Sequence, residues 1–305
     1  NAVEFDLAIF TNLTRDHLDY HHTVGAYRQA KKRLFEFSTL RSAVVNADDR
    51  LGQEIIAESA LPHIFAYSLA RPECIRDQVI CVYPQDLVVD NDGIRMTINA
   101  DEQLVQLRSQ LLGKLNVENL LAAFAGLLAL GVGPAIAAES LSLVGPAPGR
   151  LQRFGGREFT PEVIVDYAHT PEALRHVLLA LRSICDGDLW CVFGCGGDRD
   201  SGKRALMGEI AEALTDHVIL TNDNPRGEAP ETIIEDILSG TQNRAVITVE
   251  LERARAVARA VGAARPEDIV LVAGKGHETY QDIGGVRLPL SDQACVQNAL
   301  ARRRR

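Results

Sequence analysis

The chain has 305 residues, with 32 basic and 41 acidic side chains and a formal net charge of -9. That length predicts two domains, because a single core stops growing near roughly 250–300 residues. A composition that is 46% hydrophobic and 24% charged excludes a disordered chain, net acidity excludes a duplex nucleic-acid binder, and no apolar run reaches the ~18–20 residues of a membrane span.

In chain order, an apolar run over 7–10 reads as a buried strand. Helical spacing of Tyr27, Ala30, Leu34 and Phe37 predicts a helix over 24–37. A strand over 42–45 leads through Asn46-Ala47-Asp48-Asp49, a helix N-cap signal, into a helix over 51–60 and a strand over 64–67. This alternation implies a parallel sheet. The stretch 79–112 differs. Short alternating runs at 79–82, 87–89 and 95–98 flank Asn91-Asp92-Gly93, which predicts an antiparallel insertion with one tight hairpin. Helices follow over 117–130, apolar on nearly all sides, and over 135–143. The breaker-rich Gly145-Pro146-Ala147-Pro148-Gly149 marks the domain boundary, giving domains of 1–147 and 148–305. Beyond it the alternation restarts. Strands are expected over 162–165, 189–193, 217–221, 245–249 and 269–273, with helices over 171–184, 203–214, 230–238 and 251–261. The fold class is therefore α/β: a parallel sheet with an antiparallel insertion, then a doubly wound, Rossmann-like domain.

The ends of the chain carry further expectations. Asn1 to Asp6 have neither a basic segment nor a cleavage site, so they do not form a signal peptide. With no initiator Met, the chain is expected to start inside a larger protein. The six cysteines contain no CxxC pair, which argues against a zinc site or disulfide framework and for a reduced, cytoplasmic protein. Arg302 to Arg305 read as a solvated terminus.

Most polar signals fall just after predicted strands, where open α/β sheets carry their sites. Asp16 and His17 follow the first strand, with Lys31 one helix away. An Asp/His pair can hold Mg²⁺ through oxygen or water, or a softer ion through imidazole; otherwise it is surface loop. Gly194-Cys195-Gly196-Gly197-Asp198-Arg199-Asp200-Ser201-Gly202-Lys203-Arg204 joins a strand to a helix. Its glycines expose N–H groups beside a helix N-terminus, with Lys203 and Arg204 opening the helix, which predicts an anion site. It is not a Walker A loop. Asp166-Tyr167-Ala168-His169-Thr170-Pro171 contains an N-cap and N1 proline, which leaves Asp166 and His169 unexplained. Asp223-Asn224-Pro225-Arg226 is a turn ending on a guanidinium fork suited to a carboxylate. Gly274-Lys275-Gly276-His277-Glu278 looks like a ligand edge. Together these turns imply a multi-substrate site with an anionic ligand.

As a set, Thr11 to His21, Asn116 to Asn119, Gly149-Arg150 and the turns above resemble the Mur ligases, in order and over essentially the whole chain. Within that family the resemblance is to the branch that extends UDP-N-acetylmuramoyl-L-alanyl-D-glutamate. The resemblance implies ATP-dependent amide-bond formation in peptidoglycan synthesis, hence a role in cell-wall biogenesis, cell shape and division. ATP phosphorylates the D-Glu γ-carboxylate, and the amine of a diamino acid attacks the acyl phosphate. The Asp-Asn-Pro-Arg turn looks like the version that selects meso-2,6-diaminopimelate over L-lysine. By the same resemblance, Lys31 matches a carbamylated lysine and His17 a residue at the same Mg²⁺ site. Asn116 and Asn119 match the adenine segment, and Arg150, Asp166 and His169 match ATP contacts. Lys203 resembles a lysine near the transferred phosphate. Arg199, Asp223, Asn224, Pro225, Arg226, Gly274 and Glu278 match the diaminopimelate pocket. Family members carry a UDP-binding domain and a P-loop ahead of the stretch that begins here. The chain is therefore expected to be an incomplete central ATPase domain plus an intact C-terminal domain, monomeric and inactive in ATP hydrolysis alone. The alternatives are a non-catalytic amino-acid or nucleotide-binding module and a folylpolyglutamate or cyanophycin synthetase relative, the latter disfavoured by the Asp-Asn-Pro-Arg turn.

Overall fold

The computed structural model describes residues 4–13, 18–72, 78–90, 92–156 and 159–303. The chain divides into two compact units, Asn1–Gly145 and Pro146–Arg305, with the cut inside the breaker-rich run.

In the first unit, β1 (Leu7–Phe10), β2 (Ser42–Asn46) and β3 (His63–Tyr67) alternate with short helices α1 (Leu18–His21), α2 (Val24–Lys32) and α3 (Arg50–Glu58). Then come β4 (Val79–Asp90), β5 (Gly93–Ala100), β6 (Gln103–Ser109), α4 (Lys114–Ala129) and α5 (Pro134–Ser142). The sheet order is β1-β2-β3-β4-β5-β6. Pairing is parallel as far as β3–β4 and antiparallel from β4–β5 onward. The central strands are buried on both faces, with period two. Val44, Phe65 and Tyr67 pack with α4, while Ala43, Val45, Ile64 and Ala66 pack with Leu51, Ile55 and Ile56 of α3. Asp49 caps α3 by accepting from the Leu51 N–H at 2.7 Å.

Three expectations change in this unit. The helix over 24–37 stops at Lys32 and tightens into a 3₁₀ turn over Arg33–Glu36. The runs at 79–82 and 87–89 are one strand, interrupted by a register shift between Gln85 and Val88 with Asp86 at φ 48°. Pro84 is tolerated there because β3 pairs with β4 only as far as Val82, so one edge is open where Pro lacks its N–H. A second hairpin turns through Asp101 and Glu102, both at positive φ, and no Asn-Gly or Asp-Gly marks it. Asn91 of the predicted hairpin lies outside the described residues.

The second unit contains β7 (Gln152–Gly155), β8 (Glu162–Asp166), α6 (Pro171–Arg182), β9 (Leu189–Phe193), α7 (Gly202–Leu214), β10 (His217–Leu220) and α8 (Pro230–Leu238). It continues with β11 (Ile247–Val249), α9 (Arg253–Ala263), β12 (Ile269–Ala273), β13 (Tyr280–Ile283), β14 (Val286–Pro289) and α10 (Asp292–Arg303). The order β11-β10-β9-β12-β8-β7 is parallel except at β7. Helices α6, α7 and α8 pack side by side, while α9 packs with α10 against Val163, Val165, Val192, Val270 and Val272. A sheet with helices on both faces is doubly wound, as expected.

The last strand but three was expected over 245–249. It begins only at Ile247, after a 3₁₀ turn over Arg244–Val246. The Arg tail is not simply solvated. Arg302 and Arg303 end α10, and Arg303 donates to the carbonyls of Val261 and Gly262, where α9 ends. A cation at unsatisfied helix-terminal carbonyls is favourable. Arg304 and Arg305 lie outside the described residues. No helix among the described residues is long and apolar enough to cross a membrane.

Candidate active site

In the second unit the turns singled out in the sequence follow β8, β9, β10 and β12. These strands run parallel, so the turns share one rim. The backbones approach closely there. Gly274 has φ 111°, and a Cβ on it would lie 2.7 Å from Asp223 Oδ2. Gly149 has φ 67°, and a Cβ on it would lie 2.1 Å from the carbonyl carbon of Gly276. Both positions require glycine.

The Asp223–Arg226 turn is locked to the loop after β12. Asn224 is 3% exposed. Its Nδ2 donates to Glu278 Oε2 at 2.9 Å, while its Oδ1 accepts from Lys275 Nζ at 2.9 Å and from the Asp282 N–H at 2.9 Å. A carboxylate on one side and two donors on the other fix which way the amide faces. Lys275 Nζ also donates to Glu278 Oε2 at 2.7 Å. Burial pushes the Glu278 carboxyl up, but its bonds to Lys275 and Asn224 outweigh burial and hold it below the usual range. Asp223 goes the other way. Burial raises its pKa despite the charges of Arg253 and Lys275 nearby.

Arg226 sits at φ 49°, an uncommon conformation for a non-glycine residue. The β13–β14 hairpin holds it there. Its N–H donates to the Asp282 carbonyl at 3.0 Å and its carbonyl accepts from Gly284 at 2.7 Å. One guanidinium nitrogen donates to the Gly197 carbonyl at 2.8 Å. A Cβ on Gly196 would lie 2.9 Å from that nitrogen and 3.8 Å from Arg199 Cγ, so the two arginines flank Gly196. Pro225 is buried, and its carbonyl accepts from Glu228 at 3.0 Å.

On the β8 side, Asp166 is 5% exposed and accepts from the N–H groups of Leu151 and Ala168 at 2.8 and 2.7 Å. Burial dominates and raises its pKa. The Arg150 guanidinium lies 4.7 Å over the Tyr167 ring, a cation–π contact. Tyr167 also meets His169 and His277, at centroid distances of 4.6 and 5.3 Å. Lys203 Nζ donates to the His169 carbonyl at 2.7 Å. Arg150, Tyr167, His169 and Lys203 thus form a cationic and aromatic group on one side of the rim.

One expectation is corrected. Arg204 does not face an anion. It is 1% exposed and binds Glu228, Asp236 and the Gly196 carbonyl. The N–H groups after β9 are also partly satisfied internally. Gly197 donates to the Asn224 carbonyl, Asp198 to Glu228 and Gly202 to Asp200 Oδ1. A carboxylate of the chain itself already occupies the N-terminus of α7.

Three supports of the rim were not identified from sequence. In sequence Lys275 reads only as part of a glycine-rich ligand edge. Gln281 donates to the Asp223 carbonyl at 2.7 Å. Arg253 and Asp292 form a bidentate pair at 2.7 and 2.8 Å with both side chains fully buried. From there Arg253 donates to the Ala273 and Asn222 carbonyls, tying β12 to the turn after β10. The pair spans elements 39 residues apart, so no local spacing could reveal it.

In the first unit, Lys31 Nζ donates to the Asn12 carbonyl at 3.0 Å and lies 5.1 Å over the Tyr27 ring. Asn116 Nδ2 donates to the Leu112 carbonyl at 2.8 Å, and Asn119 donates to Asn116 Oδ1 at 3.1 Å. Asp16 and His17 lie outside the described residues. Among the described residues no group of three His, Cys, Asp or Glu side chains could hold a metal ion, and a lysine donating to a carbonyl is not in a cation-ligating form. The described donors therefore do not make a Mg²⁺ site.

The Mur ligase middle domain matches residues 1–127, and the Mur ligase glutamate ligase domain matches residues 149–276. The chain belongs to the Mur ligase family. It is 47% identical over 302 residues to a UDP-N-acetylmuramoyl-L-alanyl-D-glutamate--2,6-diaminopimelate ligase of Xanthomonas campestris pv. campestris, covering 98% of this chain and 60% of that relative. A solved structure of a ligase of the same name is 38% identical, with a TM-score of 0.64, covering 98% of this chain and 61% of that one. The fold alone is shared with MurF ligase from Thermotoga maritima in complex with ADP, at 15% identity and a TM-score of 0.70, covering 98% and 62% of the two chains. The chain thus spans about three-fifths of the length of these relatives.

Proposed function

We propose that the protein to which this chain belongs is an ATP-dependent ligase that joins meso-2,6-diaminopimelate to UDP-N-acetylmuramoyl-L-alanyl-D-glutamate. The observation that carries this reading is the Asn224–Lys275–Glu278 network with Arg226 and Arg199 beside it. A diamino diacid needs guanidinium forks for its carboxylates and an acidic group for an ammonium, and this rim has both. The similarity to diaminopimelate ligases supports the same substrate pair.

In this reading the D-Glu γ-carboxylate takes the terminal phosphoryl group of ATP, and ADP leaves. The free amine of diaminopimelate attacks the acyl carbon, and phosphate leaves as the amide forms. Phosphoryl transfer depends on positioning and charge stabilisation more than on covalent help. Lys203 would face the transferred phosphoryl group. Arg150, Asp166 and His169 would contact the nucleotide, with Asn116 and Asn119 toward the base. Arg226 and Arg199 would bind and orient the amino acid, and Glu278 would hold its distal ammonium. Phosphate release by the complete protein, given the UDP-dipeptide, ATP and one amino acid at a time, tests the reading. Turnover that depends on meso-diaminopimelate supports it, and equal turnover with L-lysine overturns it.

Lys31 belongs to this proposal as a carbamate. In the complete protein Lys31→Ala is expected to abolish ligation, by about 100-fold or more if charge stabilisation is lost. Lys31→Arg is expected not to restore it, since a guanidinium cannot carry the carbamate. Full activity in Lys31→Arg, measured by the same phosphate release, would show that only a positive charge is needed there.

A further inference from the structure

The geometry points to Lys275 as a positioning residue that turns Glu278 into a one-sided acceptor, committing Oε2 to the protein and leaving Oε1 for the ammonium of the bound amino acid. This rests on the diaminopimelate reading of the pocket. Lys275 is fully buried, an unusual place for a lysine unless its amine is paired. Its Nζ donates to Asn224 Oδ1 at 2.9 Å and Glu278 Oε2 at 2.7 Å, and lies 5.7 Å over the Tyr280 ring. Asn224 Nδ2 donates to the same Oε2 at 2.9 Å. Both protein donors therefore converge on one oxygen of Glu278, and among the described residues none is directed to the other.

That asymmetry has two consequences. The carboxylate plane is fixed by a three-way lock of Lys275, Asn224 and Glu278, so the remaining oxygen is aimed before any ligand arrives. The carboxyl is also kept ionised at a half-buried position, where burial alone would favour the neutral acid. The charged groups acting on Lys275 and Glu278 are Arg226 and Asp223 on the turn after β10. Behind Asp223 stand Arg253 of α9 and Asp292 of α10. Arg226 lowers the Glu278 pKa, and Glu278 in turn raises that of Asp223. Lys275 makes the direct bond.

The test compares wild type, Lys275→Met, Glu278→Gln and the double variant. Methionine keeps the length of the buried side chain and removes the donor. Asn224 retains its bond from Asp282 and its bond to Glu278, so the turn keeps two of its anchors. Carboxyl-carbon NMR of Glu278 in the ligand-free protein is expected to show its pKa rising by about one pH unit or more in Lys275→Met. Calorimetry with meso-diaminopimelate is expected to show affinity falling about tenfold or more at neutral pH. The acidic limb of the affinity profile should move to higher pH along with the Glu278 titration. In the Glu278→Gln background, Lys275→Met should cost much less, because the residue it acts through is gone. An unshifted Glu278 titration overturns the inference. So does an equal loss from Lys275→Met in both backgrounds, which would mark a purely structural lysine. A Glu278 titration that shifts in Lys275→Met, with no diaminopimelate bound by wild type, would instead overturn the pocket reading, while the Lys275–Glu278 coupling stood.

Discussion

Replacing Arg226 with alanine in the complete protein is expected to collapse its preference for meso-diaminopimelate over L-lysine. The two amino acids share a side-chain amine and differ by one carboxylate. A guanidinium fork makes charge-assisted hydrogen bonds to that carboxylate and is left unpaired by lysine. Losing such a contact costs roughly 2–5 kcal/mol, which is about 30-fold to several thousand-fold in the ratio of kcat/KM values. A different account is open to Arg226, since one of its nitrogens already holds the Gly197 carbonyl. If that bond were its whole role, Arg226→Ala would disturb the turn and weaken both amino acids equally. Arg226→Lys separates the cases further, because it keeps the charge and loses the fork. An intermediate preference is expected for it.

The second large effect concerns folding. Asp292→Ala is expected to destabilise the second unit by about 3–5 kcal/mol, because it leaves the Arg253 guanidinium buried without its counter-charge. Urea unfolding followed by a probe in that unit, such as Trp190 on β9, would measure it. Replacing the pair together, Arg253→Met with Asp292→Leu, is expected to cost much less, since no uncompensated charge remains. The turn after β10 should still loosen in the double variant, because Arg253 also holds the Ala273 and Asn222 carbonyls. A loss under ~1 kcal/mol in Asp292→Ala would contradict burial of the pair.

Elements that bury large apolar side chains at regular spacing were legible in the sequence. The strands at Leu189–Phe193 and Ile269–Ala273 and the helix at Pro230–Leu238 fall where the pattern places them. Elements with little apolar content were missed. Helix α10 buries Val296, Ala299 and Leu300 but is otherwise polar and small. Strand β14 is exposed throughout. A Gly284-Gly285 pair at φ 60° and 81° between Ile283 and Val286 was an available hairpin signal. At the rim, chain position was legible and partnership was not. The residues after each strand could be named because parallel strands deliver their C-terminal turns to one edge. That Arg204 is consumed by Glu228 and Asp236, or that Lys275 bonds Asn224 across 51 residues, depends on tertiary contacts that local spacing does not encode.

The central claim is that this rim recognises a diamino acid with two carboxylates. Calorimetric titration of the complete protein with meso-diaminopimelate and with L-lysine, in wild type and Arg226→Ala, tests it most directly. Wild type is expected to bind meso-diaminopimelate about 30-fold or more tightly than L-lysine, with Arg226→Ala erasing most of the difference. Equal affinity for the two amino acids in wild type, or the same preference retained in Arg226→Ala, would contradict it.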